Sequence, residues 1–185
     1  MKAGPAILAA LAASLILAGC QSAGNSEGKD KFVRVNTASL PSQASASAQE
    51  DSPLARALLA EVNAFRKSKG IAPLSVDPRL QKAAAVHSED MALRHFFGHY
   101  NPDDQGPKER VLAIDENYKG SLGENIAYVQ DPKADDEALA KKLFTKWRNS
   151  PAHRKNMQDS TFTITGMGVA RSGNKVYATQ VFGGS

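Results

Sequence analysis

The chain has one cysteine among its 185 residues, and this scarcity excludes two architectures. Without a second thiol it cannot form an internal disulfide, and it lacks the cysteine clusters of zinc-finger modules. Lysine and arginine outnumber aspartate and glutamate by 23 to 19, but the basic residues are spread along the sequence. Because no dense basic run exists, we do not expect the protein to bind nucleic acid.

Long apolar runs are also absent. Residues 6–18 are apolar except for Ser14, and this segment is shorter than the roughly 20 residues that cross a bilayer. It follows Lys2 and ends in Leu17-Ala18-Gly19-Cys20, which resembles the bacterial lipobox, where the chain is cut before a lipidated cysteine. The sequence therefore predicts a lipoprotein signal peptide over residues 1–19.

The same motif predicts acylation of Cys20, by palmitate or similar chains, which would anchor the protein to membrane lipid on the extracytoplasmic side. The alternative is that Cys20 is an ordinary thiol of a secreted protein. The cell membrane and the outer membrane both stay open, and Gln21 in place of aspartate favours the outer one if the host has two.

The remaining chain divides into a tether and a domain. Residues 20–51 are rich in serine, alanine, glycine and glutamine, and such a segment buries too little apolar area to offset its ordering entropy. We expect a flexible tether there. Residues 52–185 are long enough to bury a core without disulfides, and we expect this domain to be a monomer.

Periodicity and capping residues predict the elements of the domain. Ser52-Pro53 and Asp77-Pro78 begin helices that end near Gly70 and His95. Further helices are expected at 107–114, from 135 or 136 through 147, and at 151–157. Segments 161–170 and 175–182 predict an antiparallel hairpin, and 125–129 a third strand. Helices followed by a hairpin indicate an α+β fold with a small antiparallel sheet.

Several short motifs occur in a characteristic order. These are Phe97-Gly98-His99, Gly123-Glu124-Asn125, Trp147 with Ser150-Pro151-Ala152-His153, and Gly166-Met167-Gly168. Together they resemble the CAP superfamily, named for cysteine-rich secretory proteins, antigen 5 and pathogenesis-related proteins, and in particular its bacterial lipoprotein branch. The resemblance covers about residues 54–182 and implies an α-β-α sandwich.

The resemblance also implies a functional cleft lined by two histidines and two glutamates, in which some members hold a divalent metal. His99, Glu124 and His153 match three of these positions, so we expect them to be the cleft or catalytic residues. His99 and His153 would then be ligands of zinc or another divalent metal. The fourth position, a glutamate in many members, is Ser150 here, and Asp103 or Asp104 would have to compensate for it.

The other conspicuous polar and aromatic residues have structural interpretations. His87 shares a helical face with apolar residues, which indicates a partly buried structural histidine whose polar atoms are satisfied. His95, near the end of that helix, is expected to interact favourably with the helix dipole. Glu89 and Asp90 are expected on a solvated face. Three aromatic side chains are expected in the core: Phe97, Phe144 and Trp147.

Three functions fit this sequence. It has neither a nucleophile elbow nor an HExxH motif, so the leading interpretation is a membrane-anchored extracytoplasmic binding or interaction module with a metal-capable cleft. The second is a metal-assisted hydrolase, a protease or cell-wall-acting enzyme, in which Glu124 is the general base. The third, a lipid-binding protein, is implied by the resemblance alone. The sequence leaves open whether the protein is an enzyme.

Overall fold

The structure, a computed structural model, describes residues 52–131 and 133–184. The predicted signal peptide, Cys20 and tether lie outside these ranges. The helices are α1 (Pro53–Ser68), α2 (Pro78–Arg94), α3 (Pro107–Ile114), α4 (Asp136–Asn149) and α5 (Pro151–Gln158), and the strands are β1 (Ser75–Val76), β2 (Ser121–Gln130), β3 (Ile164–Ser172) and β4 (Lys175–Gly184). No helix of the described part is long and apolar enough to cross a membrane.

The predicted helix starts are confirmed in their capping contacts. The Ser52 hydroxyl accepts a hydrogen bond from the Ala55 N–H at 3.0 Å. The Asp77 carboxylate accepts bonds from the backbone N–H groups of Arg79 and Leu80. Each cap satisfies donors that the first turn would otherwise leave without a partner, and a proline follows each cap in the first turn.

The four strands form one sheet in the order β1-β3-β4-β2. Strands β3 and β4 are the predicted hairpin, and β2 pairs antiparallel with β4 along its whole length. Strand β1 was not predicted, and its two residues run parallel to β3. The long strands therefore confirm the predicted α+β class, and β1 adds a short parallel pair at one edge.

Helices cover both faces of this sheet. On one face α1, α4 and α5 surround a core that contains Leu58, Leu143 and Trp147. On the other face α2 and α3 pack against β2 and β4. Because side chains alternate along a strand, Ala127 joins the first cluster and its neighbour Ile126 joins the second. This arrangement is the α-β-α sandwich.

Helix α2 approaches the sheet very closely because glycines lie under it. A Cβ atom at Gly166 would lie 2.0 Å from the carbonyl carbon of Leu80, and one at Gly168 would lie 2.2 Å from that of Ala84. The side chain of Gln81 also donates to the Met167 carbonyl at 2.6 Å and accepts from the Met167 N–H at 2.8 Å. These contacts fix α2, and with it His87, against the strands.

A buried arginine joins the C-terminal end of α1 to the end of α5. Arg66 is 1% exposed, and its guanidinium donates to the carbonyl oxygens of Ala72, Met157, Asp159 and Phe162 at 2.8–3.1 Å. One side chain thereby satisfies four carbonyls, which belong to the loop after α1, the last turn of α5 and the loop after α5. Sequence analysis did not identify this residue.

Candidate functional site

The three predicted cleft residues come together around the outer edge of β2, near its start. Glu124 lies on β2, His99 in the loop after α2, and His153 in the first turns of α5. His99 Nδ1 is 2.8 Å from Glu124 Oε1. The ring centroids of His99 and His153 are 6.5 Å apart, with an interplanar angle of 59°.

The loop that carries His99 is ordered by one asparagine. Helix α2 ends at Arg94, and His95 follows in a left-handed conformation with φ 56° that turns the chain. The Asn101 side-chain oxygen accepts from the N–H groups of Asp103 and Gln105, while its amide donates to Asp90. These hydrogen bonds order the loop and so fix the position of His99 beside β2.

Both carboxylate oxygens of Glu124 are engaged. Its side chain is 2% exposed, Oε1 contacts His99, and Oε2 accepts from Arg110 Nη2 at 2.5 Å. Arg110, on α3, also donates to the carbonyls of His99 and Gln105 at 3.0 and 2.8 Å. One guanidinium therefore fixes both the carboxylate and the loop.

The charge of Glu124 survives its burial. Desolvation by itself would raise the pKa of this carboxyl, but the hydrogen bond from His99 and the positive charge of Arg110 outweigh it, so the pKa lies below its ordinary value. Burial lowers the pKa of Arg110, and the adjacent carboxylate opposes that shift. The pair is therefore ionised at neutral pH.

His87 lies behind this pair and is fully buried, although only partial burial was predicted. Its Nε2 atom is 2.9 Å from the Gly98 carbonyl and 3.9 Å from Glu124 Oε1. Burial, aided by the charge of Arg110, lowers the pKa of His87 from 6.5 to about 4, so the ring is neutral and donates from Nε2. Within the described ranges, Nδ1 of His87 is buried without a hydrogen-bond partner.

Two asparagines hold α5 against β2. The side chain of the buried Asn125 donates to the His153 carbonyl at 3.0 Å. Asn156 donates to the Asn125 side-chain oxygen at 3.0 Å and to the Glu124 carbonyl at 3.1 Å. Burial and the charge of His99 lower the pKa of His153, which keeps its imidazole neutral and available as a ligand at neutral pH.

The two imidazoles lie further apart than two ligands of one metal ion. With Zn–N bonds of about 2.0–2.1 Å and tetrahedral angles, two ligating rings have centroids about 5 Å apart. The His99–His153 separation of 6.5 Å is wider, so the rings would have to move together on binding. No group of three or more histidine, cysteine or acidic side chains in the described part could hold an ion.

The two aspartates expected to replace the missing glutamate lie in the loop after His99. Asp103 forms an ion pair with Arg94 at 2.5 Å, and Asp104 follows with a positive φ of 57° in the same loop. Ser150 occupies the N-cap position of α5, but its side chain makes no capping hydrogen bond. Among the described residues, these contacts therefore place one carboxylate, that of Glu124, at the site.

Two structural predictions were wrong. Phe97 is 48% exposed, not in the core, and its ring packs edge-on against Tyr128 at 5.0 Å, because it lies in a loop to which helical periodicity does not apply. Glu89 is 4% exposed, not solvated, because the close approach of α2 to the sheet widens the buried stripe of that helix. The core positions of Phe144 and Trp147 are confirmed.

Sequence reasoning missed the residues that support the site. Arg110 lies in the run Lys108-Glu109-Arg110, which has the pattern of a solvated face, and nothing local marks it as buried. Asn101 and Asn156 carry no recognisable motif either. Asn125 did stand within the Gly123-Glu124-Asn125 motif, and an amide directly beside the candidate carboxylate was the available signal.

Comparison with known proteins agrees with this architecture. The chain is 35% identical over 121 residues to YkwD of Bacillus subtilis, which corresponds to 65% of this chain and 44% of YkwD. It therefore spans less than half the length of that relative.

Solved structures show the same fold. An extracellular protein with an SCP domain from Bacillus anthracis has a TM-score of 0.55 at 27% identity, over 67% of this chain and 38% of the other. An outer surface protein of Borrelia burgdorferi has a TM-score of 0.61 at 18% identity, over 72% of this chain and 95% of the other. NaASP2, solved with Zn²⁺, has a TM-score of 0.53 at 17% identity, over 72% and 81%.

The family comparison covers nearly the whole described domain. The model of the cysteine-rich secretory protein family, CAP, matches residues 59–182. This range includes every motif that carried the resemblance, from Phe97 to Gly168. The chain belongs to the CAP family of cysteine-rich secretory proteins.

Proposed function

We propose that this protein is a lipid-anchored, extracytoplasmic binding module in which His99 and His153 hold a divalent transition-metal ion. The observation that carries the proposal is the bond between His99 Nδ1 and the buried Glu124 carboxylate. A carboxylate that accepts from one ring nitrogen fixes the tautomer and orientation of an imidazole and raises its basicity as a metal ligand. His99 Nε2 is left as the ligating atom.

The donor set selects the class of metal. Neutral imidazoles suit zinc, copper and nickel, whereas calcium and magnesium prefer oxygen ligands. Zinc is also the ion in the NaASP2 structure, which shares the fold. A zinc ion held by two imidazoles would supply open coordination positions for an oxygen or nitrogen donor of a bound ligand.

The state of Glu124 favours binding over hydrolysis. A general base must be within hydrogen-bond reach of the proton that it removes, and it works best when its pKa lies near the working pH. Both oxygens of Glu124 accept strong hydrogen bonds, its side chain is almost fully buried, and its pKa is lowered. We infer that Glu124 orients His99 and does not activate a water molecule.

The location follows from two separate considerations. The similar structures include an extracellular protein of Bacillus anthracis and an outer surface protein of Borrelia burgdorferi. The Leu17-Ala18-Gly19-Cys20 segment has the lipobox pattern, and two or three acyl chains on one cysteine anchor a protein durably. We therefore propose that acylated Cys20 holds the domain at an extracytoplasmic membrane surface.

Calorimetric titration with zinc tests the metal site, on the full chain with Cys20→Ser to prevent acylation. We expect one ion per chain, loss of binding in His99→Ala/His153→Ala, and about tenfold weaker binding in Glu124→Gln. His95→Asn is the matched control, because His95 is exposed and asparagine tolerates its left-handed backbone. Equal affinity of the wild type and the double variant would refute the proposed site.

A further inference from the structure

A second surface feature lies further along the same edge of β2, apart from His99 and His153. It is a groove between β2 and α4 with a volume of 690 Å³. One wall is the end of β2, and the other is the exposed side of α4. The lining residues are Tyr128, Val129 and Gln130 from the strand, and Ala138, Lys141, Lys142, Thr145 and Lys146 from the helix.

The strand wall presents backbone groups that no other strand of the described sheet uses. Strand β2 is the last in the order β1-β3-β4-β2, so one of its edges is open. The Glu124 carbonyl accepts from the Asn156 side chain and so points away from β4. Because the direction of the peptide groups repeats every second residue, the N–H and C=O groups of Tyr128 and Gln130 also point outward.

The contacts of β3 lead to the same orientation for the peptide groups of β2. Gln81 binds both backbone groups of Met167, so these groups face away from β4. The next residue, Gly166, then bonds to its partner Val181 on β4, and Val181 cannot also bond to its β2 partner Glu124. No hydrogen bond joins the outward groups of Tyr128 or Gln130 to any residue in the described ranges.

The helix wall is strongly basic. The residues of α4 that line the groove include Lys141, Lys142 and Lys146 and no acidic residue. The ammonium group of Lys146 lies 5.8 Å from the centre of the Tyr128 ring, and that of Lys175, on the neighbouring strand β4, lies 5.4 Å from it. Lys142 forms an ion pair with Asp131, which offsets one of these charges and leaves the groove with a positive excess.

We propose that this groove binds an acidic peptide segment in extended conformation, which adds to β2 as a further strand. A ligand of the groove must pair with two features at once: the unpaired backbone groups on one wall and the lysine ammonium groups on the other. The backbone of an extended peptide satisfies the first, and carboxylates on alternate residues satisfy the second. An anionic membrane surface would satisfy only the charges. This site goes beyond the proposed metal-binding function and does not depend on it.

Fluorescence anisotropy with a labelled peptide of alternating glutamate and valine tests the proposal, on the full chain with Cys20→Ser. We expect saturable binding by this peptide. The same peptide with N-methylated alternate amides should not bind, because it cannot form the backbone ladder. Equal binding of both peptides, or stronger binding of the chain to phosphatidylglycerol vesicles that Lys141→Glu/Lys146→Glu abolishes, would overturn strand addition in favour of a charged surface.

Two protein variants separate the two walls of the groove. Lys141→Glu/Lys146→Glu should weaken binding by about tenfold or more, while the control Lys67→Glu/Lys108→Glu, with the same change in net charge on other helices, should not. Gln130→Pro removes one outward N–H at the end of β2 without breaking the β2–β4 ladder, and should weaken binding severalfold with an unchanged melting temperature. Binding that neither variant weakens would refute the site.

Discussion

Arg66 and Arg110 are both buried, at 1% and 5% exposure, yet they serve different purposes because their acceptors differ. Arg66 donates to four backbone carbonyls. Arg110 donates to two carbonyls and to the Glu124 carboxylate. Burial lowers the pKa of both guanidinium groups, but only Arg110 is placed to pass on its charge to a group at the molecular surface.

The comparison shows what turns a buried cation into part of a site. The backbone carbonyls that accept from Arg66 have no further group through which its charge could act. Arg66 therefore connects chain segments and does not influence a surface side chain. A carboxylate has a second oxygen, and that of Glu124 reaches His99, whose side chain is 44% exposed. The chain of contacts from Arg110 through Glu124 to His99 therefore leads from the core to solvent, whereas the contacts of Arg66 end inside the protein.

Removal of Arg66 should have the largest effect on stability. Arg66→Met keeps the apolar stem but leaves four carbonyls without their donor, and we expect a loss of about 4 kcal/mol in the free energy of unfolding. Urea unfolding followed by circular dichroism measures it. Lys67→Met, an exposed neighbour on α1, should change stability by less than about 0.5 kcal/mol. Zinc affinity of the folded Arg66 variant should equal that of the wild type.

Removal of Arg110 should cost about 3 kcal/mol and also weaken zinc binding about tenfold, because Glu124 is left buried without its cation. The double variant Arg110→Met/Glu124→Gln should recover part of the stability, since no buried charge remains, but none of the zinc affinity. Urea unfolding and zinc calorimetry on the four members of this cycle test it. Unchanged zinc affinity in Arg110→Met would contradict the contrast with Arg66.

Local signals predicted the elements of the fold well. Capping pairs such as Ser52-Pro53 and Asp77-Pro78 fixed where α1 and α2 begin, and both caps form the expected bonds. Strand β1 was missed because its two residues are exposed and carry no alternating pattern. Its pairing depends on Ile164 and Thr165 of β3, which lie far along the chain, and such a partner leaves no local trace.

The residues of the candidate site also differ in whether the sequence could predict them. The motifs around His99, Glu124 and His153 were visible because they are short and continuous. Arg110 and Arg66 were not, because their burial depends on acceptors supplied by distant segments, and a charged residue among charged neighbours has the pattern of a solvated face. The prediction that Phe97 is in the core was wrong for the converse reason, since an apolar residue was expected to be buried. Phe97 lies in a loop, packs against the single ring of Tyr128 and stays half exposed.

The smallest expected effect concerns His87, which touches Glu124 from the buried side. Its pKa is lowered from 6.5 to about 4 in the folded protein. Between these pH values, His87 therefore binds a proton in the unfolded chain but not in the folded one. Stability should therefore fall as pH drops from 6.5 toward 4.5, by about 2 kcal/mol from this group. The lowered pKa of Glu124 acts in a separate window, below the ordinary carboxyl value near 4.5.

His87→Gln isolates that contribution, because the glutamine amide can still donate to the Gly98 carbonyl but does not titrate. In urea unfolding with a chelator present, the variant should be less stable than the wild type at pH 7, and the gap should narrow toward pH 4. His153, whose pKa is also lowered, is unchanged in both proteins and cancels from the difference. His95→Asn should keep the wild-type slope. A constant gap between wild type and His87→Gln across this range would mean that His87 keeps its ordinary pKa, and that the charge on Arg110 acts on Glu124 alone.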